Sequence, residues 1–248
     1  MAGHSKWANI KHKKARVDAK RSRVWSKCAR AIIVAAKNGG DPATNLTLRY
    51  AIDEAKAENM PKDTIEKSIK KGSGELGTET YEQVIYEGYG PAGVAILLDI
   101  LTDKRTRTAP EIKKLFERGN GNMGTTGCVS YIFQSKGQVI VSKEAADEDT
   151  IMTLALDAGA EDVADLDDSW QVLSEPSEFI AVREAIEGAE IAIESAGITM
   201  IPNTTVTITG KDVQKVINLI DNLEDHDDVQ KVHANFEIPD DELAALEG

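Results

Sequence analysis

Cysteine is nearly missing from this chain. Cys28 and Cys128 are the only two in 248 residues, a hundred positions apart and without a CxxC neighbour. That leaves no disulfide framework, zinc ribbon or dithiol motif, and two buried thiols in a reducing compartment are expected. Aromatic residues make up only 5%. No apolar run approaches the ~18–20 residues needed to cross a bilayer, so no membrane partner is expected. The opening Met-Ala-Gly-His-Ser-Lys-Trp has no apolar secretory core, and a cytoplasmic location follows as the expectation. Also missing are a P-loop, H-E-x-x-H, G-x-S-x-G and a cysteine with an evident partner. Carboxylate chemistry leaves no motif, but nothing argues for catalysis. The chain is therefore read as a non-enzyme, with no catalytic residue, metal ligand or cofactor assigned.

What is present is charge, and it is segregated. Residues 1–37 hold eleven Lys/Arg against one acid, Asp18, giving +10. Residues 38–74 are neutral, 75–137 carry −1, and 138–248 carry −22. The overall −13 hides an end suited to a polyanion and an end repelled by one. With 41% hydrophobic residues the chain can still bury real cores.

Apolar periodicity predicts a helix over Arg16–Asn38, through Val17, Val24, Trp25, Cys28, Ile32 and Ala35, stopped at Gly39-Gly40. Further helices are expected over Asn45–Asn59 and, with Pro61 as its first residue, to about Lys71. Together they make a three-helix bundle, with a linker at 72–80. Strands follow at Tyr81–Tyr89 and Val94–Leu101, a helix at Arg105–Arg118, a glycine-rich turn at 119–127 and a strand at Cys128–Phe133. From Gln138 to Ile201 the order reads β-α-β-β-α-β, the ferredoxin-like unit. A strand at Thr205–Ile208, a helix at Lys211–Leu223 and a strand at Val229–Phe236 can complete the earlier β-β-α-β piece. The expected fold is α+β: an N-terminal three-helix bundle followed by two α/β domains, with a ferredoxin-like domain inserted into the middle one. The expected domains are 1–75, 80–134 plus 204–239, and an acidic insert at 135–203.

The strongest motif is a stripe. Arg16, Lys20, Arg23, Lys27 and Arg30, spaced 4, 3, 4 and 3, fall within about 80° of a helix surface. Such stacking costs folding stability by like-charge repulsion, and the helix lacks acids that would neutralise it. With Lys6, Lys11, His12, Lys13, Lys14 and Arg21 beside it, the stripe is read as a polyanion-binding face driven by counterion release. Trp7 either stacks on a base or caps the bundle core. No helix-turn-helix, zinc finger or RNA-recognition signature is found, which argues for backbone or shape recognition and mildly for folded RNA. A second contact is proposed at Lys104, Arg105 and Arg107, where a strand runs into a helix; phosphate binding and simple helix capping are the two readings there. Gly119-Asn120-Gly121-Asn122-Met123-Gly124 matches G-x-G-x-x-G, but it follows a helix and precedes a strand, the reverse of a dinucleotide site. Asp225-His226-Asp227-Asp228 and Asp165–Asp168 read as solvated loops, since neither has metal-site spacing.

Several motifs in order resemble the YebC family. They are Ala2-Gly3-His4-Ser5-Lys6-Trp7, Asp18-Ala19-Lys20-Arg21, Tyr86-Glu87-Gly88-Tyr89-Gly90-Pro91, Arg107-Thr108, Gly124-Thr125, Asp147–Met152, Ala158–Asp162 and Met200-Ile201-Pro202. That family includes bacterial proteins labelled transcriptional regulators and the mitochondrial translational activator of cytochrome oxidase. The resemblance implies a three-domain, non-enzymatic cytoplasmic protein that binds DNA, RNA or the ribosome. Lys104 and Thr106 depart from the asparagines common there, and Ala31 from a glutamate. Two functions stay open, a ribosome- or RNA-binding translation factor and a DNA-binding transcriptional regulator. An enzyme or metabolite-binding module is disfavoured by the basic N-terminus.

Overall fold

The computed structural model describes residues 21–76, 80–166 and 168–247. The described chain divides into two compact units, one of residues up to Ser130 together with Gly210–His233, the other of Tyr131–Thr209 and the residues from Ala234 onward.

The first unit opens with three helices: α1 (Arg21–Ala36), α2 (Leu46–Ala57) and α3 (Lys62–Gly72). Cys28, Ile32, Ala35 and Ala36 of α1 close over Leu48, Ile52 and Ala55 of α2 and Ile65 of α3. The side chain of Asn45 starts α2, accepting from Leu48 N–H at 3.1 Å while its amide donates to the carbonyls of Ala35 and Gly39. Asn59 takes the left-handed conformation (φ 55) at the end of α2, and Met60 N–H bonds back to Ala55 O at 2.9 Å. Pro61 caps α3 from outside rather than forming its first turn. Where α3 crosses α1, Gly72 lets the backbones meet, since a methyl there would lie 2.6 Å from Ala36 Cβ.

Strands β1 (Glu82–Tyr89) and β2 (Ala95–Thr102) form a hairpin, followed by α4 (Arg105–Arg118) and the two-residue β3 (Asn122–Met123). They share a sheet of order β3-β1-β2-β9 with β9 (Val229–Ala234), which follows α7 (Lys211–Glu224). β2 is buried on both faces, in line with its apolar run, which only Asp99, 3.0 Å from His233 Nε2, interrupts before Thr102. Ile112 and Phe116 of α4 and Val216, Leu219 and Ile220 of α7 are buried, and Phe116 lies over Gly88 of β1.

The end of the glycine-rich turn is held by a side chain. Glu87 points its carboxylate into it and accepts from the N–H groups of Gly127, Val129 and Ser130 at 2.7, 2.7 and 2.8 Å. This overturns the expected strand at Cys128–Phe133. The donors a ladder would need are spent on a side chain, so the segment is a turn leading to a 3-10 turn at Ser130–Ile132.

The second unit holds β4 (Phe133–Ser142), α5 (Glu148–Asp157), β5 (Ala160–Asp165), β6 (Ser169–Ser174), α6 (Phe179–Gly188) and β7 (Ile193–Pro202). Its sheet order β5-β6-β4-β7 with antiparallel pairing is the ferredoxin-like arrangement. Lys136 is held between Glu161 and Glu175 across this sheet. Trp170 donates its indole N–H to Ala146 O at 3.0 Å, and the Lys143 ammonium lies 4.4 Å from its ring centre. β8 (Val206–Thr207) pairs in parallel with β10 (Phe236–Glu237), a separate two-stranded sheet. The expected single strand Val229–Phe236 is therefore split. Asn235 sits at the break, donating its amide to Thr204 O at 3.1 Å while its own carbonyl accepts from Val206 N–H at 2.7 Å. A last helix, α8 (Asp240–Glu247), has no counterpart in the sequence reading.

Glu87→Gln tests the pinned loop. It removes a charge and one acceptor facing three backbone donors, at a cost of about 1–3 kcal/mol. The expected result is a lower melting temperature with faster hydrogen exchange at Gly127, Val129 and Ser130. Unchanged protection at those amides would show that the loop holds itself.

Candidate nucleic-acid interface

Lys6, Trp7, Lys11, His12, Lys13, Lys14, Arg16 and Lys20 lie outside the described residues, and Arg21 is described only by its backbone at the start of α1. The rest of the stripe is in place. Arg23, Lys27 and Arg30 follow one side of α1 while Cys28, Ile32 and Ala35 enter the bundle core.

The acids that α1 lacks come from about 200 residues away in sequence. α7 ends at Glu224 with no basic residue in its last turn, and Asp225, Asp227 and Asp228 follow directly. The negative end of a helix next to three carboxylates calls for cations. Lys27 Nζ donates to the Glu224 carbonyl at 2.6 Å. Arg23 Nη1 donates to Asp225 Oδ1 at 2.9 Å, and its Nε lies 3.9 Å from Asp227. Arg30 donates to the Asp227 carbonyl and to Asp228 Oδ1 at 3.3 Å, with its guanidinium 5.9 Å from the centre of the Tyr81 ring. The expected cost of cation stacking is thus offset by contacts that the stripe alone does not reveal. Burial nevertheless pulls the Lys27 ammonium below the usual lysine range, against the neighbouring charges of Glu224, Asp225 and Asp227.

Asp228 is the centre of this region, with its side chain 4% exposed. Its Oδ2 accepts from Arg107 Nη2 at 2.8 Å and from the Thr108 hydroxyl at 2.7 Å. With the Thr108 proton so committed, the Thr102 hydroxyl, 2.7 Å away, donates to Thr108 and itself accepts from Lys104 N–H at 2.9 Å. The backbone of Asp228 is engaged as well. Its N–H donates to His226 Nδ1 at 3.1 Å and its carbonyl accepts from Leu101 N–H at 2.9 Å. That fixes the His226 tautomer, leaving Nε2–H to face Glu111 at 3.1 Å. Burial raises the Asp228 pKa, but the hydrogen bonds from Thr108 and Arg107 and the charges of Arg107 and Arg30 outweigh it. The carboxyl stays below the usual aspartate range. Arg107, also bonded to Asp103 at 2.8 Å, is held charged by the same hydrogen bonds.

The two contact regions expected from sequence therefore meet on one carboxylate, Arg30 at Oδ1 and Arg107 at Oδ2. Of the three cations at the start of α4, Arg107 is bonded to Asp228, whereas Lys104 and Arg105 face outward. Both are exposed, and Arg105 lies 3.9 Å from Glu82. Sequence reasoning missed Asp228, Thr108, Thr102 and His226. The available signal was the acidic run after a helix with no basic last turn. Among the described residues, no group of three His, Cys, Asp or Glu side chains is placed to hold a metal. No described helix is long and apolar enough to cross a membrane. Cys28 is buried and its thiol is pushed up to about 12, chiefly by that burial, which makes it unreactive.

A helical bundle and a mixed α/β layer that share a polar hub, together with a ferredoxin-like unit, make up an α+β protein. The chain belongs to the TACO1/YebC family. The TACO1/YebC N-terminal domain matches residues 5–75, and the second and third domains match 81–236. A "probable transcriptional regulatory protein" of Geobacter sulfurreducens is 53% identical over 247 residues, covering 99% of this chain and 100% of its own length. One of the same description from Natranaerobius thermophilus is 52% identical over 244 residues, 97% of this chain and 98% of its own. The crystal structure of a conserved hypothetical protein from Aquifex aeolicus superposes with a TM-score of 0.85 at 47% identity, covering 94% of this chain and 97% of that one.

Asp228→Asn tests the hub. Near neutral pH it leaves two guanidiniums facing a neutral amide, at a cost of about 3 kcal/mol by denaturant titration. A carboxyl with a depressed folded pKa stabilises fully above its unfolded value, ~3.9, and that stability is lost as pH falls through the folded value. The gap between wild type and variant should be constant above about pH 5 and shrink below about pH 4. A gap that persists undiminished at acid pH would show that the aspartate charge is not what holds the hub.

Proposed function

We propose that the protein binds RNA on the ribosome as a cytoplasmic translation factor of the YebC type. The observation that carries this reading is the charge segregation, +10 in residues 1–37 against −22 in residues 138–248. A basic helical part would grip phosphate backbone without reading bases. Lys104 and Arg105, exposed at the start of α4, would supply a second contact. The acidic ferredoxin-like part would be kept off the nucleic acid by its charge and face solvent or a basic protein. We take the three parts to be 1–75, 80–134 with 204–239, and 135–203. Several surfaces of different sign suit a large ribonucleoprotein better than a short duplex. The second reading, a DNA-binding transcriptional regulator, is favoured by the names its relatives carry, probable transcriptional regulatory proteins.

Titrations across salt concentration test the first step. Neutralising about five phosphates gives a slope of log K against log salt near −3.5 to −4.5. Residues 76–248, with net charge −22, should bind hardly at all. Sedimentation with ribosomes separates the two readings. Lys104→Ala with Arg105→Ala should weaken pelleting, whereas Arg107 is left intact because it holds Asp228. A sequence-specific footprint on promoter DNA, indifferent to those changes and without ribosome association, would establish the transcriptional reading.

A further inference from the structure

Beside the stripe, Ser22, Arg23, Ser26 and Arg30 of α1 line an open cleft of about 370 Å³, and Asp227 forms its far wall. Two guanidiniums and two hydroxyls in one concavity make a chemically complete receptor for a phosphodiester. The Ser22 and Ser26 side chains are exposed, one turn apart on the helix, and Ser26 Oγ donates only to Ser22 O, at 3.0 Å. The cleft has room for a phosphate and its flanking sugar. Its cations are already partly answered by the chain itself. Arg23 is bonded to Asp225 and faces Asp227, all three well exposed at 47%, 58% and 70%.

We propose that this cleft is a nucleic-acid phosphate site, and that the Asp225 and Asp227 carboxylates occupy Arg23 as an internal competitor until a phosphate displaces them. The inference rests on the polyanion-binding reading above and adds where one phosphate sits and what holds it off. Exposure decides which contacts yield. The Asp225 and Asp227 pairs with Arg23 stand in water and are weak. The Arg30 pair with Asp228 is enclosed, with side chains 19% and 4% exposed, and does not open. Phosphate therefore takes over Arg23 and the two hydroxyls while Arg30 keeps α1 anchored, presenting its charge to the cleft from behind. A carboxylate pair is the natural stand-in, because it offers the same fork of acceptors to a guanidinium that a phosphate does. The competitor sets a threshold. A polyanion binds only when its phosphate density exceeds what two local carboxylates provide, which disfavours isolated anions and acidic protein surfaces.

The test is a cycle on the full-length chain with a labelled mixed-sequence RNA hairpin, read by fluorescence anisotropy. Asp225→Asn with Asp227→Asn should tighten binding roughly 2- to 20-fold, the worth of two exposed pairs. Asp63→Asn with Glu66→Gln removes the same charge from α3, away from these contacts, and should change affinity less. Arg23→Gln should cost more in the Asp225→Asn/Asp227→Asn background than in wild type, because only there is Arg23 free of its competitor. Ser26→Glu, an exposed change on a helix surface, should weaken binding in both backgrounds. Asp225→Asn alone, the milder change, should show the same direction if the double variant folds poorly. If wild type binds but the paired aspartate change tightens it no more than the α3 control, or if Arg23→Gln costs the same in both backgrounds, the internal competitor is refuted while the binding reading stands. If no form binds the hairpin, the binding reading itself falls and this inference with it.

Discussion

One buried carboxylate holds the first unit in register. Asp228 is reached by Arg30 from α1, by Arg107 and Thr108 from α4, and through its own backbone by β2 and His226. An enclosed ion of this kind is tolerated only when its partners are complete, since a missing one leaves a desolvated charge. The partners here are complete on both oxygens. That requirement fixes the side of α1 that turns toward α7 and the way Thr102 ends β2, while the negative end of α7, which has no basic last turn, is served by Lys27.

Regular elements with strong periodicity were legible in the sequence. α4 was expected at the residues it occupies, and the ferredoxin-like order followed from alternating patterns and helix signals between residues 138 and 201. The elements that were misread depend on distant side chains. Val129 and Ser130 look like strand until Glu87, more than forty residues earlier, takes their N–H groups. The run from Val229 to Phe236 looks continuous until Asn235 turns it from one ladder to another. α8 is short and opens with three acids after Pro239, which reads as a solvated tail although Leu243 is buried.

The candidate site was legible in one half only. Spacing of 4 and 3 placed Arg23, Lys27 and Arg30 on one side of a helix, and that is how they stand. Helical periodicity says nothing about what meets that side, because the partners are about 200 residues on. Asp225 to Asp228 read as a solvated acidic loop, whereas Asp228 is enclosed and its neighbours face the stripe. The stripe thus serves two demands, structural at Arg30 and Lys27 and more open to exchange at Arg23.

Asp228 and Arg30 act as a pair and not as two separately useful side chains. A double-mutant cycle on unfolding free energy measures this directly, with Arg30→Gln and Asp228→Asn made singly and together. A coupling above about 1 kcal/mol is expected for partners sharing one enclosed contact. Additive losses, with a coupling near zero, would contradict it.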